Sequence, residues 1–514
     1  MTAFDTSAPL LPEILSLHGK WRNNKIAIIC GEDQVSWRQF NEATNRLANA
    51  LINQGISVGC NVGVVMSNSL EMVEVLVGIM KSGACSVPIN LSVSNDALTA
   101  MLEDADAATI FASEEQRDRL NQYVIDRPNI KIISLSNNYD SFKATGSIEN
   151  PTLLIEDDAP LNIIYSSGTT GTPKGILHTH KGRRDWAYDL AIALRYHGAA
   201  RTLFTIGLYS NISWVAMLST LLAGGTLIVH KAFDPAEALK AIETHKITHF
   251  AMVPIQLQRV YEAAQNSTYN LASVSAIMSC GSPLHAQLKA NLFKLLGDTV
   301  VIELFGLTEG VITTLDPEEA EGRMASVGKP LIGTDIKIIG DNDQEVAIGD
   351  TGEIVGSGRI VMPGYLNRPG ATKEATWVDP NGKAWLRTGD IGQLDADGYL
   401  YIVDRKKDMI LSGGQNIYPQ DIEALLIGNQ AISEVAVVGV PCPKWGETPL
   451  AVVVPHETSN LDANEITTWA NNKLGKQQRI RATVLTSSLP RNANGKILKR
   501  ELRKKYESMF NGTI

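Results

Sequence analysis

Short apolar runs, each next to a helical pattern, recur through the first 300 residues and constrain the fold more than any other feature of the chain. Between residues 36 and 90 the helical spacing of Trp37, Phe40, Ala43, Leu47 and Leu51 gives way to an apolar run at 62–66, with Gly55, Gly59 and Gly83 at the breaks. An apolar run without polar alternation fits a strand covered on both faces, as parallel sheets flanked by helices require. Equivalent runs stand at 107–111, 130–135, 161–165, 203–206, 226–229 and 274–278. The expected class is therefore α/β, built as layered subdomains.

From about 326 to 403 the texture changes to short β-like pieces separated by turns, as in Asp350-Thr-Gly-Glu353 and Asp395-Ala-Asp-Gly398, which predicts a small β subdomain. After the charged stretch 404–408 an α+β pattern follows, with a helix at 419–427, strands at 435–440 and 451–454, and a helix at 464–474. The reading is a large N-terminal domain, 1–403, and a small C-terminal domain, 404–514, with the boundary at Asp404.

Charge and cysteine content narrow the partners. With 46 Lys plus Arg against 55 Asp plus Glu, the net charge is −9, which disfavours a nucleic-acid backbone or an anionic membrane. The five cysteines are scattered, with no CxxC pair, which fits a reducing cytoplasm. The first residues lack a basic leader and no window approaches a membrane span, so the expectation is a protein neither exported nor membrane-inserted.

The strongest local signal is Tyr165-Ser-Ser-Gly-Thr-Thr-Gly-Thr-Pro-Lys-Gly175 at the end of a strand candidate. Gly168 and Gly171 let backbone N–H groups converge on an anion, Ser166, Ser167, Thr169, Thr170 and Thr172 add hydroxyls, and Lys174 adds charge, so the segment suits phosphate. It is not a Walker A loop, because Thr-Pro separates the second glycine from the lysine.

This segment resembles the signature loop of the AMP-forming adenylate superfamily, which holds acyl-CoA synthetases, nonribosomal-peptide adenylation domains and luciferases. The family's further motifs follow in order: Phe305-Gly-Leu-Thr-Glu309, Leu386-Arg-Thr-Gly-Asp390, Asp404-Arg-Lys-Lys-Asp408, Ser412-Gly-Gly-Gln-Asn-Ile-Tyr-Pro419 and Pro490-Arg-Asn-Ala-Asn-Gly-Lys496. The resemblance implies a small, mobile C-terminal domain hinged at Asp404, and ATP, Mg²⁺ and coenzyme A as the small molecules handled. It makes Glu309, with Thr169, the metal-facing pair. Thr308 and Lys174 join Glu309 and Lys496 as catalytic groups. Phe305 and Gly306 with Gly281, Ser282 and Pro283 face adenine. Asp390, read as a turn residue, and Arg405 take the ribose or phosphate. Gly413, Gly414 and Trp445 line the coenzyme A side.

Phe305 stands where the family commonly has tyrosine, which leaves a stacking face without a hydroxyl. Lys496 is the residue expected to touch both the attacking carboxylate and the α-phosphate. Lys406, Lys407, Lys499, Arg500, Arg503, Lys504 and Lys505 read as solvated charge. His178 and His180 are spaced for a metal but lack an evident third ligand, and Cys280 lacks a paired histidine, so all three read as structural.

The acid pocket is expected from residues 203–217, 252–254, 278–279 and 306–312, which are mostly apolar and include Met217, Met252 and Met278. No aspartate occurs in 203–217, which disfavours an amino acid, and Gly207-Leu-Tyr-Ser-Asn211 replaces the family's Pro-rich, His-containing version. The expected substrate is a fatty, aryl or arylalkanoic acid, and the expected activity a carboxylic acid:CoA ligase. Transfer to a carrier-protein phosphopantetheine, a luciferase-type oxidoreductase and a non-catalytic nucleotide-binding protein stand as alternatives. A homodimer is compatible with the reading.

Overall fold

The computed structural model describes residues 8–125, 127–166, 173–265, 268–297, 300–413, 415–456, 459, 461–476, 478–492 and 495–510. The chain forms two compact units, one of residues 1–324, 330–335 and 357–386, the other of 325–329, 336–356 and 387–514.

In the first unit two sheets share one core. A nine-stranded sheet carries, as parallel neighbours, Ala276–Ser279, His249–Met252, Arg201–Phe204, Thr226–Val229 and Ile26–Cys30. Val301–Gly306 extends this parallel set, and Ile312–Leu315 returns antiparallel beside it. A six-stranded sheet runs Lys131–Ser134, Thr109–Ala112, Asn61–Val65, Cys85–Pro88, Pro160–Ser166 and Lys174–Thr179, with its last pair antiparallel.

Alternate residues of the nine-stranded sheet serve two cores. Ala27, Phe204, Ala251, Met278 and Ile302 join the central cluster with the helices Trp37–Asn53, Leu70–Lys81, His180–Ala193 and Asn211–Ala223. Leu203, Ile228, Phe250, Ile277 and Val301 face the helices Pro235–His245, Pro254–Gln265 and Ala286–Leu296 instead. Covering both faces is why these strands read as unbroken apolar runs. The layered α/β expectation is met. At about 25 cal/mol per Å² of apolar area buried, each core side chain of this size contributes roughly 1.5–3 kcal/mol.

In the second unit, the strands Thr334–Ile339, Gly352–Gly358, Ala384–Leu394 and Leu400–Arg405 carry the stretches 336–356 and 387–405. A second sheet pairs Ile432–Cys442 with Gly446–Pro455 and adds Ile410–Ser412, Gln415–Ile417 and Ala482–Leu485. The helices Pro419–Ile427 and Ala463–Asn471 cover one face through Ile422, Leu426, Ile466 and Ala470. On the other face Leu502, from the helix Lys499–Tyr506, joins Val438 and Val452. No helix among the described residues is long and apolar enough to cross a membrane.

Candidate functional site

Two clusters of candidate residues form, one within each unit. In the first unit the phosphate-type segment is the connection of an antiparallel hairpin, with Ser166 and Lys174 directly opposite each other as its last paired residues. Cross-strand pairing fixes where that connection starts and ends. Ser167, Gly168, Thr169, Thr170, Gly171 and Thr172 lie outside the described residues.

Thr308 and Glu309 follow the strand Val301–Gly306 at its C-terminal end, the side on which open α/β sheets bind ligands. Phe305 is half-buried at that end and Gly306 is exposed. The turn is anchored by the segment 360–365, for the Met362 N–H donates to the Glu309 carbonyl at 2.8 Å. Gly310, with φ +108°, comes so close to the Ile360 carbonyl oxygen that a Cβ would stand 2.1 Å from it.

The Tyr365 hydroxyl donates to Glu309 Oε1 at 2.9 Å, and Lys174 Nζ lies 5.0 Å from the centre of the Tyr365 ring. Burial, and the Glu309 carboxylate beside it, push the Tyr365 phenol above its ordinary range, so it stays a donor. Sequence reasoning missed Tyr365; the signal was an aromatic residue directly after Pro363-Gly364.

Gly281, with φ +92°, meets Ile212 and Val253, whose side chains come within 3.1 and 3.3 Å of its ideal Cβ position. Two of the segments expected to line the acid pocket, 203–217 and 252–254, thus converge on a glycine expected at the adenine face. Ser282 and Pro283 are exposed, while the next residue, Leu284, donates its N–H to Glu303 Oε1 at 3.2 Å. Glu303 is in turn paired with the buried Lys289, Nζ to Oε2 2.5 Å, a second anchor that the sequence did not reveal.

The three methionines do not form one lining. Met217 and Met278 sit in the central core, whereas Met252 faces the outer helices. Cys280 is buried, and burial pushes its thiol up to about 12, which removes the thiolate needed for nucleophilic attack. His178 ends up on a strand and His180 opens a helix. Burial holds His178 well below its ordinary range and His180 near 4, and no metal-ligand cluster occurs among the described residues.

In the second unit Asp390 lies within the strand Ala384–Leu394 opposite Arg405, not in a turn as expected. Thr388 and Gly389 resemble turn residues, and Gly389 keeps a left-handed φ of +70°, but from Asp390 onward the chain is paired with Leu400–Arg405. Arg405 Nε contacts Asp390 Oδ1 at 2.9 Å, while Oδ2 is buried without a partner among the described residues. A buried acceptor left open beside an arginine suits a ligand that brings hydroxyl donors, as a ribose does.

Lys496 is held by reciprocal bonds with Asn492, its N–H to Asn492 Oδ1 and the Asn492 N–H to its carbonyl, both 2.9 Å. Burial, reinforced by Arg405 and Lys407 and opposed by Asp390 and Asp408, brings its ammonium down to about 7.

Lys499 corrects the expectation of a solvated base. It is largely buried and ion-paired with Glu423 at 2.7 Å; burial opposes its charge, yet Glu423 and Asp404 hold it above the ordinary lysine range. Arg503 is likewise tied to Asp408 at 3.0 Å, and the half-exposed Lys406 to Glu353 at 3.0 Å. Lys407 has an exposed surface, but partial burial, with Arg405 beside it, lowers its ammonium from the ordinary lysine range, so it is not simply solvated charge.

Of the residues expected to line the coenzyme A side, Gly413, with φ +58°, donates its N–H to the Trp445 carbonyl at 2.8 Å, and an added Cβ would stand 2.9 Å from the indole. Trp445 is 50% exposed, so it offers an open aromatic face beside a backbone that only glycine permits. Gly414 lies outside the described residues.

This chain belongs to the AMP-binding enzyme family, whose pattern matches residues 18–366, while the AMP-binding enzyme C-terminal domain matches 421–496. It is 31% identical over 484 residues to a feruloyl-CoA synthase of Amycolatopsis sp., covering 93% of this chain and 96% of that one. A long-chain-fatty-acid–CoA ligase of Mycobacterium tuberculosis is 31% identical over 485 residues, 92% of this chain and 94% of its own. Among solved structures, o-succinylbenzoate CoA synthetase from Bacillus subtilis, in complex with the acyl-adenylate intermediate OSB-AMP, superposes with a TM-score of 0.84 at 28% identity, covering 95% of this chain and 97% of that one. ATP-bound MatB from Rhodopseudomonas palustris gives 0.90 at 25% identity, covering 98% and 100%. The mixed α/β architecture with a large N-terminal and a smaller C-terminal domain is that of these enzymes.

Proposed function

We propose that this chain is an ATP-dependent carboxylic acid:CoA ligase that activates an apolar fatty, aryl or arylalkanoic acid. The observation that carries the reading is the grouping of Lys496, Arg405 and the open Asp390 carboxylate oxygen in one unit. The relatives named above, acting on aromatic and long-chain acids, support it.

In the first half-reaction the acid's carboxylate oxygen bonds to the α-phosphorus of ATP and pyrophosphate leaves. Two anions approach each other in that step, so it needs fixed positive charge where they meet. Lys496 supplies it, Asp390 and Arg405 take the ribose, and Lys174 draws charge from the departing pyrophosphate. In the second half-reaction the coenzyme A sulfur attacks the acyl carbonyl, AMP leaves, and the thiol proton goes to solvent. Gly413, Gly414 and Trp445 border that side.

The Glu309 carboxylate after a strand end suits magnesium, which prefers oxygen ligands and is commonly held by one or two carboxylates plus substrate phosphates. Glu309, with Thr169, would face it, and its contribution is to neutralise triphosphate charge. Asp404, which accepts the Gln420 N–H at 3.0 Å and joins a strand end to a helix start, is the proposed hinge between 1–403 and 404–514. The proposed compartment is the cytoplasm.

The deciding experiment measures AMP formed with and without coenzyme A across fatty, phenylalkanoic, cinnamic and benzoic acids, with hydroxylamine trapping any acyl-adenylate. AMP that requires both coenzyme A and one acid class is expected. Silence with the whole panel counts against the reading, and hydroxamate without coenzyme A turnover points to a carrier-protein acceptor.

A pH effect also follows. Because Lys496 titrates near 7 in the free protein, the unfolded chain binds more protons between about pH 7 and the ordinary lysine range, so this group's burden on stability eases as pH rises through that window. A bound triphosphate restores its charge. ATP binding near pH 8 is therefore expected to take up as much as about one proton. Calorimetry in buffers of different ionisation enthalpy reads this directly, and identical uptake in Lys496→Ala would contradict the assignment.

A further inference from the structure

The first unit sets a cation and a carboxylate on two sides of one aromatic residue. Lys174 approaches the Tyr365 ring face, and Glu309 accepts the hydrogen bond from its hydroxyl at 2.9 Å. The main chain fixes this arrangement as well. Tyr365 bridges to Ile176, and the Leu366 N–H donates to the Gly175 carbonyl at 2.8 Å, which ties the segment to the lysine's own strand. The Met362 N–H holds the Glu309 carbonyl at 2.8 Å, which ties the same segment to the carboxylate's turn.

We propose that Tyr365 is a positioning residue that holds Glu309 and Lys174 apart and aimed for a magnesium-bound triphosphate. The proposal rests on Glu309 being the group that faces magnesium. Physically, an ammonium and a carboxylate in one pocket attract each other, and a salt bridge between them would spend both charges before the nucleotide arrives. The ring takes the ammonium on its π face, where the attraction is weaker than an ion pair. The hydroxyl occupies a lone pair of Oε1 and so fixes the rotation of the carboxylate. Neither contact adds charge, so the net attraction for an anionic ligand is kept.

Tyr365→Phe keeps the ring and removes the hydroxyl. Its magnesium concentration for half-maximal adenylate formation is expected to rise about tenfold, the scale of one hydrogen bond to a charged group, and the rate returns at high magnesium. Its ATP affinity measured calorimetrically without magnesium stays at the wild-type value. Tyr365→Leu removes the ring as well, so excess magnesium does not restore its rate, because Lys174 is then free to collapse onto Glu309.

Glu309→Gln separates the two levels of the argument. If Glu309→Gln raises the magnesium requirement and Tyr365→Phe does not, Tyr365 has no positioning role and Glu309 keeps its own. If neither variant changes it, the assignment of Glu309 falls and the proposal with it. If Tyr365→Phe weakens ATP binding equally with and without magnesium, its part is packing alone and the proposal is overturned.

Discussion

Lys496→Ala is expected to slow adenylate formation by about 10² to 10³, with ATP binding changed only a few-fold and the reaction of preformed acyl-adenylate with coenzyme A near the wild-type rate. A unit charge about 4 Å from a developing phosphoryl charge is worth roughly 4 kcal/mol at an effective dielectric of 20, close to three powers of ten in rate. ATP binding is expected to be spared because ribose recognition is proposed to lie with Asp390 and Arg405, which are paired with each other at 2.9 Å rather than with the lysine. Removing the lysine also relieves Arg405 and Lys407 of a like charge, so the variant is expected to fold. The acid-dependent exchange of pyrophosphate into ATP isolates the first half-reaction. Equal exchange rates in variant and wild type would remove Lys496 from the mechanism. Lys496→Arg sharpens the test, since a guanidinium stays charged at every working pH. Its ATP binding near pH 8 should therefore take up no proton, in contrast to the wild type.

The elements easiest to read from the sequence are those with a clear apolar pattern and a clear stop. The run at 226–229, buried throughout, is a strand with those limits, and the helix expected at 419–427 forms as Pro419–Ile427, with Ile422 and Leu426 buried on one face and Pro419 and Gly428 at its ends. Edges are less legible. The strand Lys174–Thr179 mixes Lys174, His178 and Thr179 with apolar residues, and only its antiparallel partner makes it a strand. Asp390 misled for the related reason that Thr-Gly-Asp is turn-like in composition, while strand pairing is a non-local choice. Lys499 looked solvated because its partner Glu423 is far off in the sequence, and Tyr365 went unnoticed because what marks it is contact with Glu309 and Lys174. The second unit is also assembled from 325–329, 336–356 and 387–514, and a chain that enters a unit more than once leaves no mark in local composition. Motif residues, by contrast, are legible without the contacts, since an ordered series of short patterns is a local property of the sequence.

Gly310→Ala is expected to cost about 3–5 kcal/mol of the first unit's stability, a large part of the roughly 5–15 kcal/mol a domain possesses. Two effects combine. A side chain at φ +108° carries backbone strain of about 1–3 kcal/mol. The new methyl would also stand 2.1 Å from the Ile360 carbonyl oxygen and 2.7 Å from Val361 Cα, and main-chain atoms cannot rotate away as a flexible side chain does. Gly322→Ala is the matched control, for Gly322 has φ +75° in the same unit and nothing within 4 Å of its Cβ position, so it bears the strain alone, about 1 kcal/mol. The difference between the two variants is therefore the steric part together with the extra strain of φ +108° over φ +75°. Thermal unfolding followed by circular dichroism, at a fixed scan rate, should show the larger drop for Gly310→Ala. Equal drops would mean the close approach to Ile360 is relieved without cost. If the variant folds by pushing 360–362 outward, the 2.8 Å bond from the Met362 N–H to the Glu309 carbonyl opens with it. Glu309 then loses its anchor, so the surviving protein should need more magnesium, whereas Gly322→Ala should not.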